Sequence, residues 1–420
     1  MVVTAGSVSP LAQGRSRAQR SERRAERLDR HLEERLSRAD DTEIERVIIT
    51  MKPGTKRGLM RTLQGQGARL RKDFSVIEGF SGELPRSLLR SLRNHPDVVS
   101  LSTDAPVSSL QATPPVGTIY TVTNTNNTGT GSLRQAITDA NAQAGADTIR
   151  FNIAGSGTKT ITVTSALPSI TGPTVIDATS QPGFTGTPLI RLDGNGVTGA
   201  SGLVLSSTSD GSVIRGLMIT RFKVDGIQIQ SGADDITVAG NWIGTAGTGT
   251  TGTGNTDEGI DLAGSRAIIG GTGPYDRNVI TNNGDEGITI VGSGITSHVI
   301  RGNYIGLNPD GSSGSGNVDV GVAIISGSGN TIGGTTAGAR NVISKNYEGL
   351  EINTSSNVVQ GNYVGTDAGG TLNRGNRSDD GVEIQGSSTG NVVGGTAVGA
   401  GNVIAFNALA GVKVVNSSSH

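Results

Sequence analysis

The sequence predicts a mostly β fold: a right-handed parallel β-helix with an N-terminal capping helix, preceded by a small α+β ferredoxin-like domain and a charged N-terminal helix. Three observations carry the β-helix. A phrase Gly-Ile-x-Ile, or a close variant, begins at Gly202, Gly226, Gly259, Gly287, Gly321, Gly349, Gly381 and Gly411, in steps of 24 to 34 residues. A near-constant period of that size marks a stacked solenoid. A second phrase, Asn followed by Trp, Tyr or Val and then Ile or Val, runs in phase at Asn241, Asn278, Asn303, Asn341, Asn362 and Asn402. The third observation is composition. Runs of three to five residues alternate apolar and polar, as strands do, and 65 of 420 residues are glycine, too many for stacked helices.

The elements follow in chain order. Residues 1–44 are a charged segment, partly helical or disordered, with Leu28, Leu32 and Leu36 forming a narrow apolar seam among Arg, Glu and Ala. Residues 45–107 read as β-α-β-β-α-β, the split-βαβ order. Alternation spans 46–52 and 98–103, and Leu59, Met60 and Leu63 stand at helical spacing. Residues 108–116, with Pro114 and Pro115, are a linker. Residues 117–201 hold the cap and first strands of the rod. There Ser132 can N-cap a helix with Leu133, Ala136, Ile137 and Ala140 on one face. Such a helix would cover the unpaired edge of the first winding. Residues 202–420 are the windings, and the last is cut short at His420, which predicts a longer native protein.

Equivalent residues of successive windings should stack. Ile243, Ile280, Ile305, Ile343, Val364 and Ile404 form one inward column, with the phrase asparagines beside it as an amide ladder. Windings also alternate in length. Those bearing Asn241, Asn303 and Asn362 carry insertions at 245–255, 307–317 and 366–376. The true repeat is therefore two windings, and one side of the rod bears loops.

Several functions fall away on composition. The absence of cysteine leaves no disulfide or thiolate chemistry. No run is long and apolar enough for a transmembrane helix. Residues 1–107 hold 20 Lys+Arg against 14 Asp+Glu, and residues 108–420 hold 15 against 22, so the net charge of −1 is the sum of +6 and −7. Interleaved glutamates and the lack of aromatics in the basic stretch argue against a nucleic-acid partner. Residues 1–14 show no complete signal peptide but read like the end of one, which predicts a misassigned start and an extracellular or cell-surface location.

Two resemblances add to this reading. The stretches Arg46-Val-Ile-Ile-Thr-Met-Lys-Pro-Gly54, Ile77-Glu-Gly-Phe-Ser-Gly-Glu-Leu84 and Asp97-Val-Val-Ser-Leu101 resemble the propeptide (peptidase-inhibitor) domain of subtilisin-like proteases. The resemblance implies a domain that occupies a protease cleft by its C-terminal tail, here residues 102–107, and so a subtilisin-like protease as partner. The protease itself is missing: His31, His95, His298 and His420 are the only histidines, none precedes Gly, and no Gly-Thr-Ser occurs. Gly131-Ser-Leu-Arg-Gln-Ala-Ile137, with the Gly-Asn-Tyr-Ile-Gly phrases, is similar to bacterial secreted and surface β-helix proteins of the pectin-lyase-like kind. That group includes adhesins and carbohydrate-active enzymes.

Two sets of residues are candidate sites. Trp242, Tyr304 and Tyr363 share one outward column on every second winding, about 10 Å apart, a spacing suited to sugar rings. Just before the Gly-Ile strands stand Asp225, Glu258, Glu286, Glu348 and Asp380, with Val320 interrupting. Asp257 and Asp285 add second carboxylates beside Glu258 and Glu286, so Asp257, Glu258, Asp285 and Glu286 form a candidate calcium site of hard oxygen ligands. The polygalacturonase-like fragments Asn255-Thr-Asp257 and Asp379-Asp380 are four windings apart and lack Gly-His-Gly and Arg-Ile-Lys. Two acids so separated cannot flank one glycosidic bond. The reading is thus a non-catalytic, exported protein for adhesion or binding of a polysaccharide or cell-surface glycan. The alternatives are a lyase or glycoside hydrolase acting on an acidic glycan, and a protease inhibitor through residues 46–107.

Overall fold

The structure, a computed structural model, describes Leu32, Leu36 and residues 43–74, 78–103, 117–247 and 252–415. The chain divides into two compact units, Met1–Ser108 and Ser109–His420.

In the first unit, alternation turns Val47, Ile49 and Met51 of strand β1 (Ile44–Met51) inward. Helix α1 (Lys56–Gly65) buries Leu59 and Leu63. Strands β2 (Arg69–Phe74) and β3 (Gly79–Pro85), helix α2 (Arg86–Leu92) and strand β4 (Val98–Thr103) follow. The sheet order is β2-β3-β1-β4, every neighbour antiparallel. Leu32 and Leu36 are helical and buried in this core. The rest of the expected charged helix, the linker 108–116 and the tail beyond residue 103 lie outside the described residues. Arg86, only 1% exposed, donates from Nη2 and Nε to Glu45 Oε1 at 2.7 and 3.0 Å, so its buried charge is paired.

The second unit is mostly β. Strand β5 (Ile119–Val122), helix α3 (Leu133–Ala142) and strand β6 (Asp147–Phe151) open it. Ser132 caps α3, its Oγ accepting the Gln135 N–H at 3.2 Å, and Leu133, Ala136, Ile137 and Ala140 are buried. The helix packs on β5 and β6, the two outermost strands at one end of their sheet. From there the chain winds through three parallel sheets of ten, nine and eight strands, and from Leu203 onward successive windings add one strand to each sheet. One winding, for example, contributes Ile227–Ile229, Thr237–Ala239 and Trp242–Ile243. This is a parallel β-helix.

The predicted stacking is met residue by residue. Ile243 pairs with Ile280, then Ile305, Ile343, Val364 and Ile404 along the nine-stranded sheet. Each buried aliphatic side chain of such a column contributes about 1.5–3 kcal/mol. The asparagine ladder lies beside it: Asn241 Nδ2 donates to Asn278 Oδ1, and Asn278, Asn303, Asn341 and Asn362 each donate to the next at 2.9 to 3.2 Å. A second ladder, not read from the sequence, joins Asn255, Asn283, Asn317, Asn346, Asn376 and Asn407. A third joins Asn330, Asn357 and Asn391 and is headed by a histidine. His298 Nδ1 accepts the Ala267 N–H at 3.2 Å, Nε2 has no partner, and burial pushes the imidazole down to about 4, so it is neutral.

The insertions at 307–317 and 366–376 pack on one another across two windings. Ala368 N–H donates to Gly311 O at 2.8 Å, Arg374 reaches Ser312 O, and Arg377 reaches Ser315 O and Asn317 O.

Candidate functional site

The eight-stranded sheet carries the acids. Gly226 N–H bonds Glu258 O, Gly259 N–H bonds Glu286 O, and Gly287 N–H bonds Val320 O, so Asp225, Glu258 and Glu286 stand on successive windings. A second row beside it runs Gln228, Asp261, Thr289 and Ala323 in register. Gln228 touches both rows, its Nε2 lying 3.4 Å from Asp225 Oδ2 and from Asp261 Oδ2. Asp257, Asp285 and Asp319 form a third row through backbone hydrogen bonds.

Carboxylate oxygens of Asp225, Asp257 and Glu258 lie within 4.8 Å of one another, and so do those of Glu258, Asp285 and Glu286. The four acids singled out from the sequence therefore come together, through Glu258, and Asp225 joins them. Among the described residues, no Lys or Arg forms an ion pair with any of them. Burial and then the Glu258 carboxyl push Asp225 up to about 8. Burial, with the Asp285 and Glu258 charges behind it, holds Glu286 at about 7. Such a cluster can coordinate a divalent cation.

Further along the same rows a second acidic patch has its own cation. Lys413 Nζ lies 3.0 Å from Asp380 Oδ2 and 2.9 Å from Glu383 Oε1. Glu348, 5% exposed, has no partner for Oε1. Burial first, then Glu383, Glu351, Asp379 and Asp380, push Glu348 up to about 8. A carboxyl raised in the folded state stabilises below its unfolded value, and that contribution is lost as pH rises through the folded value. Glu348→Gln, which keeps the shape without the charge, is expected to raise the melting temperature at pH 8.5. The gain should shrink steadily towards pH 4.5, and a gain independent of pH would show that Glu348 is not the titrating group.

The aromatic column keeps its register, Trp242-Val279-Tyr304-Val342-Tyr363, but it is not an open stripe. Tyr304 is only 8% exposed and sits in a small apolar cluster with Val279, Leu307 and Val342, outside the main core. The Arg277 guanidinium lies 4.0 Å from the Tyr304 ring centroid and Arg340 lies 4.0 Å from that of Tyr363. Insertion glycines close the ring edges: a Cβ on Gly311 would come within 2.9 Å of Tyr304, and one on Gly370 within 2.7 Å of Tyr363. The expectation of three outward rings open to a ligand is thereby corrected for Tyr304, while Tyr363 stays half-buried beneath Arg340. Trp242 is half-buried too, but without an arginine at the equivalent place, since the position one winding before it, where the arginines stand for the tyrosines, is Gly216.

Trp242 lines a cleft of about 490 Å³ with Tyr275, Arg277, Pro309, Asp310 and Thr187. Tyr275 is 54% exposed and braced edge-on by Phe184 at a centroid distance of 5.6 Å. Arg277 Nε is fixed by Gly302 O at 3.0 Å. Tyr275 and Arg277 went unnoticed in the sequence, where nothing in the repeat phrases marks them. No helix among the described residues is long and apolar enough to cross a membrane.

No family model matches the chain, and no curated protein matches it. Among solved structures it is similar to the Dettilon tailspike protein, at 15% identity over 71% of this chain and 68% of that one, with a TM-score of 0.32.

Proposed function

We propose that the rod is an exported, non-catalytic glycan-binding module that takes a sugar chain in the cleft beside Trp242. One observation carries this reading. The cleft combines a half-buried indole and an exposed tyrosine ring with a fixed guanidinium and a carboxylate, which is what sugar faces and hydroxyls ask of a site. The enzymatic alternative has less support: Asp257 and Asp379 belong to one row but stand four windings apart, about 19 Å, beyond the reach of paired carboxylates on one glycosidic bond. On a glycan array, the parent is expected to bind and release no reducing sugar. Trp242→Ala should weaken the best hit at least about tenfold, a loss of roughly 1.4 kcal/mol, while Tyr304→Phe, which changes a covered ring, leaves it alone. Undiminished binding by Trp242→Ala would remove the cleft from consideration.

The acids Asp257, Glu258, Asp285 and Glu286 serve as a calcium site that holds adjacent windings together. In the small unit, the element order and the sheet order β2-β3-β1-β4 favour the ferredoxin-like reading and, with it, the propeptide resemblance and inhibition of a subtilisin-like protease.

A further inference from the structure

We propose that the acidic patch binds two calcium ions side by side, one held by Asp225, Asp257 and Glu258, the other by Glu258, Asp285 and Glu286, with Glu258 shared between them. The proposal rests on the calcium reading above and fixes its stoichiometry and ligands.

Distance decides the number of ions. Oxygens around one Ca²⁺ lie about 2.3–2.6 Å from it, so ligand atoms on opposite sides are up to about 5 Å apart. Each triplet, with its oxygens within 4.8 Å, fits that span. Octahedral Mg²⁺, with bonds of about 2.1 Å, allows only about 4.2 Å and would require the side chains to close in. Asp225 and Glu286 stand two windings apart, about 10 Å, so no single ion reaches both. One ion would leave the acids at the other end uncompensated.

Two further observations point to a missing ligand. Thr289, only 6% exposed, has a hydroxyl with no hydrogen-bond partner. It stands one winding beyond Asp261 in the row that Gln228 shows to lean on the acid row, and so beside Glu286. A buried hydroxyl left unpaired costs about 1–3 kcal/mol unless something accepts its proton or takes its lone pair. The second observation is the neighbouring patch on the same two rows. There the chain supplies Lys413 to Asp380 and Glu383, whereas the patch around Glu258 receives no side-chain cation among the described residues.

Calorimetric titration of the full chain, stripped of metal, with calcium chloride tests the pair. Two ions per chain are expected. Asp225→Asn and Asp285→Asn should each leave one, and Glu258→Gln should weaken both at least about tenfold. Glu383→Gln, in the Lys413 patch, should still take up two. Asp285 is exposed, so its variant folds regardless of the ion, and far-ultraviolet circular dichroism checks the others. A single ion in the parent, or one site kept at parental affinity in Glu258→Gln, would overturn the shared pair while leaving a calcium site. No calcium uptake at all would overturn the underlying reading as well.

Discussion

Gly306→Ala is expected to destabilise the rod by about 3 kcal/mol or more, read as a fall in the denaturant midpoint of its unfolding. Gly306 holds φ +93, and a Cβ built on it would stand 1.9 Å from Ser344 O and 2.6 Å from Asn346 Oδ1. Ser344 O belongs to the backbone of the next winding and accepts no displacement without breaking the stack. The left-handed conformation costs alanine about 1–2 kcal/mol, and forced repacking adds about 1–3 kcal/mol. Gly172→Ala is the control. Its φ is not positive and a Cβ there meets nothing within 4 Å, so the midpoint should stay or rise slightly. Equal midpoints for the two variants would mean that the windings are spaced more loosely than the structure has them.

The second large effect is Asn303→Ala. Asn303 Oδ1 accepts from the Asn278 backbone N–H at 3.3 Å and from Asn278 Nδ2 at 3.0 Å. Its Nδ2 lies 2.9 Å from Ile269 O, 3.1 Å from Arg301 O and 3.0 Å from Asn341 Oδ1. The residue is wholly buried, so truncation leaves these groups without water to replace the amide. At about 1–3 kcal/mol for each orphaned group, the expected loss is about 4 kcal/mol or more. Asn303→Asp keeps the acceptor but forfeits the donor and buries a charge, and it should recover part of its stability on acidification. A loss below about 1 kcal/mol for the alanine variant would show that the ladder is ornamental to stability.

Much of the fold was legible because a solenoid writes its contacts into its period. The Ile243–Ile404 column and the Asn241–Asn402 ladder both follow from phrases at fixed offset. The second ladder escaped notice for a physical reason. The distance from its asparagines to the next Gly-Ile glycine varies between three and five residues, since the intervening turn changes length while the backbone regains register. The aromatic column was placed correctly and its exposure was not. Alternation says which way Tyr304 points, but its cover comes from Arg277 on another winding and from an insertion, neither of which a periodicity reports. Similarly, the acid rows could be lined up from sequence, whereas the burial of Asp225 and Glu348 depends on neighbouring rows leaning together.

Arg374 and Arg377 fasten one insertion to its counterpart 60 to 62 residues earlier, skipping the winding between. A molecule clasped in this way can lengthen or shorten only in double steps, because gaining or losing a lone turn would set each clasp facing the wrong partner. An engineer extending the shaft should therefore copy a pair of windings.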